Sequence, residues 1–393
     1  MIDSIIKFLL FFFVRLFPKK KNLIVFGDRA GLRYADNSRH LYQYLIIKEP
    51  KFECIWISKD KKIIDELNKN KFKTYYSYSL KGIYFCLRAN WHVYNFVEND
   101  ILSNITLYSN CILLWHGVLP KKVNEIKYTY NWVNHFIFSK INKYFVYPNS
   151  ELSRNLIDRF PENKYKLLIS NLPRNLILEK KYNNFETSIE KNLINNLKKN
   201  NKIVFGYFPT WRQDGLEIFR DVQDFQRLDS LDETLKKQNS IVLLKKHMNS
   251  EKKDRDRRYN PEIEKITDYL LKKESFLFVD YSVDLNTILK SCDVLITDYS
   301  GVVFDFLYLK KPIIFYAPDY EDFKKNNGFE IDVIEKQIGY MANNINELNE
   351  LIKKIKLKEN INDQIDVNCN KLKNEIFPET NNGIENIINI LKS

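Results

Sequence analysis

From Asn22 onward the chain alternates short apolar runs with amphipathic stretches. Leu23–Phe26, Cys54–Ser58, Trp91–Phe96, Ile112–Trp115, Tyr144–Tyr147 and Lys166–Ile169 are predicted as one set of strands. Ile203–Phe208, Ile241–Lys245, Phe276–Val279, Val294–Thr297 and Pro312–Tyr316 are predicted as a second. Runs this apolar, bounded by helical patterns, are what parallel strands buried on both faces by crossover helices require. The polar, Asn- and Lys-rich stretch Lys180–Lys202 separates the sets. The expected organisation is α/β: a first domain over 22–185, a second over 186–380, and an amphipathic C-terminal helix in 381–393. Doubly wound sheets take ligands outside the carboxyl ends of their strands, so a cleft between the domains is where a site is expected.

Residues 1–21 stand apart. Ile5 to Phe17 runs IIKFLLFFFVRLF, followed by Pro18 and Lys19-Lys20-Lys21. The run is shorter than the about 20 apolar residues a spanning helix needs, and Lys7 and Arg15 interrupt it. No small-residue cleavage site follows, which removes a signal peptide. Two expectations remain: a helix lying in an anionic membrane surface, placing the protein at the cytoplasmic face as a peripheral component, or a helix packed on the protein itself.

Composition changes the picture little. The 393 residues suffice for two cores, and Lys plus Arg (62) over Asp plus Glu (50) leaves +12, which favours polyanionic partners of any kind. The basic residues are spread along the chain without an interleaved aromatic RNA-binding motif, so no nucleic-acid partner is expected. The 5 cysteines are scattered and no two form a CxxC pair, as for buried thiols in a reducing compartment. No zinc spacing or acidic metal pair stands beside a strand, and neither a metal nor another cofactor is expected.

Chemistry concentrates at predicted strand ends. Val294-Leu295-Ile296-Thr297-Asp298-Tyr299-Ser300-Gly301 is a strand and turn opening a helix expected to run to Lys310. Free amides at such a turn, with the Thr297 and Ser300 hydroxyls, suit an anion; an ordinary Ser N-cap fits the same pattern. His116, in Trp115-His116-Gly117, follows an apolar strand, where an imidazole could take a proton from a hydroxyl or be a hydrogen-bonded core histidine. His247 closes Ile241–Lys245 in the same way. Tyr207-Phe208-Pro209-Thr210-Trp211-Arg212 ends on an arginine that could clamp phosphate oxygens or stack on Trp211. Asn171-Leu172-Pro173-Arg174-Asn175 closes the first half. His40, His92 and His135 lie in surroundings that suggest structural roles.

Taken in order, these segments resemble the CDP-glycerol glycerophosphotransferase family of teichoic acid primases and polymerases. The shared stretches are Trp115-His116-Gly117-Val118 with Lys121-Lys122, Pro209-Thr210-Trp211-Arg212, Lys245-Lys246-His247-Met248, and Thr297-Asp298-Tyr299-Ser300-Gly301 with Phe304-Asp305 and Lys311-Pro312-Ile313. Asp36-Asn37-Ser38 and Gly328-Phe329 also fit. The chain departs from the family at Val118 (usually Thr), Met248 (Pro), Gly301 (Ser) and Gln213 (often acidic). The resemblance implies a GT-B fold of two Rossmann-like domains and transfer of glycerol phosphate from CDP-glycerol to a hydroxyl of an envelope acceptor, with CMP leaving. It implies catalytic roles for His116 and His247. Donor contacts would come from Thr297, Asp298, Ser300, Gly301, Thr210, Arg212 and Lys245, and acceptor or phosphate support from Gly117, Lys121 and Arg174. A CDP-ribitol-type donor, or a nucleotide-sugar glycosyltransferase on the same scaffold, would need the same diphosphate site; a teichoic acid or capsular polymer fits as acceptor.

Overall fold

The computed structural model describes residues 2–122, 132–157, 165–210, 212, 218–222, 224–245, 261–355, 363–378 and 383–393. It divides into two compact units, one of Met1–Val118, Val123–Ser188 and Ile376–Ser393, the other of Leu119–Lys122 and Ile189–Glu375.

The first unit is built on β1 (Lys20–Gly27), β2 (Glu53–Ser58), β3 (Thr74–Tyr76), β4 (Ala89–Tyr94), β5 (Cys111–Leu113), β6 (Lys143–Tyr147) and β7 (Lys166–Ile169). They pair in the order β3-β2-β1-β4-β5-β6-β7, every pair parallel. The second contains β8 (Ile203–Tyr207), β9 (Ser240–Leu244), β10 (Phe276–Phe278), β11 (Val294–Thr297), β12 (Ile313–Tyr316) and β13 (Tyr340–Ala342), in the parallel order β10-β9-β8-β11-β12-β13. Strand order reverses direction at β1 and at β8, the switch points of doubly wound sheets.

The apolar runs sit where their composition sends them. Leu23–Phe26 and Val294–Thr297 are buried on both faces, and each sheet is covered by its crossover helices. Two strands escaped the sequence pattern, β3 and β13, both edge strands three residues long and too short to show a period. The boundary stretch Lys180–Lys202 contains a helix, Ser188–Asn200, that buries Ile194 and Leu197, and Glu190 accepts from the Asp284 amide at 2.9 Å. The C-terminal helix, Glu385–Lys392, belongs to the first unit, where Asn386 Nδ2 donates to the β7 carbonyl of Ile169.

The N-terminal helix Ile2–Arg15 packs on the protein along one face and leaves apolar residues exposed on the other. Phe11 and Val14 are buried, with Phe11 against Tyr108 and Phe136, and Arg15 donates to the Lys140 carbonyl. Ile6, Leu9, Phe12 and Phe13 on the helix, and Leu16 after it, remain exposed. No helix among the described residues is long and apolar enough to cross a membrane.

Two buried ionisable groups in the first unit pull stability in opposite directions. His92, held by Thr106 Oγ1 and the Cys86 carbonyl at 3.0 Å each, is pushed down to about 3 by burial and is neutral. Asp28, just after β1, accepts from Asn95 Nδ2 at 2.8 Å, while its Oδ2 has no hydrogen-bond partner among the described residues. Burial pushes it up to about 7, against the pull of Arg33, and nearby Asp100 and Asp36 add to the rise.

Between about pH 3 and 6.5 the unfolded chain takes the His92 proton first, so stability should climb with pH. Between about 3.8 and 7 the unfolded chain releases the Asp28 proton first, so that contribution falls with pH. Asp28→Asn should therefore gain about 2–3 kcal/mol relative to the parent between urea melts at pH 5 and pH 8; an equal difference at both pH values would refute the assignment. In the second unit, a Cβ on Gly206 would lie 2.6 Å from both Cys292 Sγ and the Phe208 ring. Gly206→Ala is expected to lower stability by about 1–3 kcal/mol in chemical denaturation.

Candidate active-site residues

Trp115, His116 and Gly117 leave the end of β5 in a conformation that local preference alone would not hold. Trp115 has φ 59° and Gly117 φ 115°, and a bulky residue in the left-handed region is costly unless its surroundings enforce it. The enforcement comes from the start of the helix Asp36–Lys48 and from the turn at Arg174. Asn37 Nδ2 donates to the Trp115 carbonyl at 2.9 Å, and Arg174 Nη1 donates to the His116 carbonyl at 2.8 Å. The same Arg174 nitrogen pairs with Asp36 Oδ1 at 3.0 Å, and the Arg174 amide donates to Asn37 Oδ1. A Cβ on Gly117 would stand 2.1 Å from Arg174 Nη2, so this approach requires glycine. The His116 ring, half-buried, lies 4.3 Å from the Trp115 ring and 5.6 Å from that of Phe96, centroid to centroid. Arg174 is thus a brace for the His116 segment, its charge directed at Asp36.

In the second unit the strand ends are tied by Asp298. Its Oδ1 accepts from the Thr210 amide at 2.8 Å, the Thr210 hydroxyl at 2.7 Å and the Tyr299 amide at 2.6 Å. Its Oδ2 receives Arg212 Nη2 at 2.8 Å. Arg212 also reaches Asp319 at 3.4 Å and lies over the rings of Tyr299 and Phe323, at 5.0 and 4.8 Å. Burial works to lower the Arg212 value, but the carboxylates of Asp298 and Asp319 outweigh it and hold the guanidinium above its ordinary range. The Thr297 hydroxyl donates to the Phe208 carbonyl at 2.9 Å. Lys245 Nζ donates to three carbonyls, those of Asp280, Tyr281 and Val283, at 2.8–3.1 Å. These side chains fasten one loop to another.

Three candidates in this unit are differently placed. Ser300 and Gly301 are half-buried on the turn before Val302–Phe306; the helix continues as a 3₁₀ turn and ends at a left-handed Lys310 (φ 52°). Lys121 sits on Leu119–Lys122, a segment within the expected first domain that belongs with the second unit. It forms a bridge with Phe329, and the Glu330 and Ile331 amides donate to the Pro120 carbonyl. Burial, and then the charge of Arg212, lower its ammonium below the usual lysine range, with Asp298 opposing. Among the described residues no hydrogen bond or ion pair neutralises the Lys121 side chain.

His247 lies outside the described residues, as do Trp211 and Lys246. His40 is buried, its Nδ1 2.7 Å from the Tyr182 hydroxyl. No cluster of three or more His, Cys, Asp or Glu that could hold a metal is found among the described residues. Sequence reasoning gave no role to Asp36, Asn37 or Asp319. The signal for Asp319 was its place just after a strand end; Asp36 and Asn37 open a helix, and their partners are distant in sequence.

Comparison with known proteins follows the same lines. The chain is 28% identical to the teichoic acid poly(glycerol phosphate) polymerase of Bacillus spizizenii (strain W23) over 388 residues, covering 92% of this chain and 91% of that protein. It is 26% identical to the teichoic acid poly(glycerol phosphate) polymerase of Bacillus subtilis (strain 168), covering 88% of this chain but 45% of that protein. The fold matches the wall teichoic acid polymerase TagF at a TM-score of 0.66 and 20% identity, over 99% of this chain and 92% of that one. Residues 9–375 match the family model of CDP-glycerol:poly(glycerophosphate) glycerophosphotransferase, and the chain belongs to that family of transferases.

Proposed function

We propose that the protein transfers glycerol phosphate from CDP-glycerol to a hydroxyl of a teichoic-acid-like acceptor. The acceptor oxygen attacks the phosphorus bearing glycerol, the bond to the CMP oxygen breaks, and CMP leaves with that electron pair. Such a transfer needs alignment and charge neutralisation more than covalent chemistry. The observation that carries the reading is the half-exposed His116 imidazole at the end of β5, on a strained segment whose carbonyls are pinned by Asn37 and Arg174. In the first unit His116 removes the acceptor proton, an imidazole being suited to exchange one near neutral pH. In the second unit Ser300 and Gly301 meet the diphosphate, and Lys121 supplies the unneutralised positive charge. Thr297, Asp298, Thr210, Arg212 and Lys245 hold those loops in shape. His247 is the second catalytic imidazole and neutralises the leaving group.

The protein works at the cytoplasmic face of the membrane, held by the exposed apolar side of Ile2–Arg15. Of the basic cluster after it, Lys19 donates to the Leu87 carbonyl and Lys20 pairs with Glu53, so the apolar residues contribute most of the attachment.

His116→Ala should lower turnover by about 10²–10⁴-fold with CDP-glycerol binding retained, measured by CMP release and by donor titration. Turnover equal to the parent's would remove His116 as the base. Mass spectrometry of products should show CMP and a glycerol-phosphate adduct from CDP-glycerol, whereas release of CDP or UDP from a sugar donor would overturn the reaction class. Deleting 1–21 should release the protein from anionic vesicles in a flotation assay; undiminished binding would end the helix's membrane role.

A further inference from the structure

The first unit carries a row of cations and aromatic rings at the carboxyl edge of its sheet. In the strand order β3-β2-β1-β4-β5, the residues at or just after each strand's end include Tyr76 and Tyr78, Lys59, Arg29, Phe96 and His116. The strands end in register, Ser58 opposite Tyr76, Gly27 opposite Tyr94 and Tyr94 opposite Leu113. Four strand spacings make the row about 19 Å long. Its members meet in two groups: Tyr76 and Tyr78 have ring centroids 5.9 Å apart, and Lys59 Nζ lies 5.8 Å from the Tyr78 ring. Further along, Arg29 is 6.0 Å from the Phe96 ring, and Phe96 is 5.6 Å from His116.

Tyr76, Tyr78 and Phe96 are 45%, 56% and 40% exposed, which is much aromatic surface for one rim. Among the described residues neither cation forms a close ion pair; the Asp100 carboxylate acts on both from a distance, and Lys59 donates to the neutral Asn99 at 3.1 Å. Nearby acids are engaged by backbone amides: Asp100 accepts from those of Ala30, Phe96 and Val97, and Asp60 from that of Lys62. Arg29 and Ala30 are left-handed, with φ 46° and 57°, and the Asp100 bond to Ala30 holds the turn that presents Arg29.

We propose that this rim is a track for the acceptor chain, a phosphodiester-linked polyol polymer whose phosphates meet Arg29 and Lys59 while its carbon faces rest on Tyr78 and Phe96. The chain's reactive end lies at His116 and its earlier units trail toward β3. The proposal deepens the acceptor side of the function given above and rests on that reading.

The test is binding of synthetic glycerol-phosphate oligomers to the full chain without donor, so it does not depend on His116 acting as a base. The hexamer should bind about tenfold more tightly than the dimer at low salt. Lys59→Glu and Tyr78→Ala should each bring the two affinities close together, while Tyr78→Phe keeps the difference. Lys237→Glu, an equal charge change on the second unit, should leave it alone. All three positions are surface-facing, and unchanged thermal melts would show that the variants fold. A length dependence that persists in both track variants overturns the proposal. So does single-stranded DNA of matched phosphate number that binds as tightly as the hexamer, since the rim would then respond to charge alone. If the track stands while His116→Ala retains turnover, the base assignment fails and the acceptor surface survives.

Discussion

Parallel pairing is the constraint on which the rest of this molecule depends. When every strand of a sheet runs the same way, every strand end emerges at one edge, and each loop after it is presented there whatever its sequence. The ladders of both units obey this without exception among the described strands. Residues far apart in sequence, such as Asp28, Lys59, Phe96 and His116, thereby share one rim. The apolar runs fix which way the chain must go, and the chemistry is carried by the few residues just beyond them.

What happens at those strand ends is governed by a competition for polar partners. A buried carboxylate needs several donors, and Asp298 takes four, drawing in both groups of Thr210, the Tyr299 amide and the Arg212 guanidinium. Arg212 and Arg174 illustrate why an arginine at a strand end is weak evidence for a phosphate clamp. Each has an aspartate in reach, and a fork-shaped cation beside a carboxylate in a poorly hydrated place will be held by it. Lys121 differs because the groups around it are already paired.

The sequence was most informative where apolar residues form long runs. The central strands β1, β4, β8 and β11 were visible because burial on both faces demands continuous hydrophobicity. β3 and β13 were not, since an edge strand of three residues carries too little pattern. The segments bearing His116 and Ser300 were legible from their position after apolar runs. Asn37's grip on the Trp115 carbonyl was not, because it joins residues whose proximity only the fold creates. The helix inside the polar stretch before β8 was hidden for a related reason. Asn and Lys are tolerated on a helix with one buried stripe, and Ile194 with Leu197 supply enough of one.

The return of Ile376–Ser393 to the first unit has a bearing on how the molecule comes into being. A ribosome emits the whole of β8–β13 before it emits Ile384, Ile387, Ile388 and Leu391, which are buried in the finished protein. The first unit therefore waits, with the ground beneath that helix still wet, while its neighbour is synthesised. Nascent chains in this interval are the form of the protein most open to chaperones and proteases.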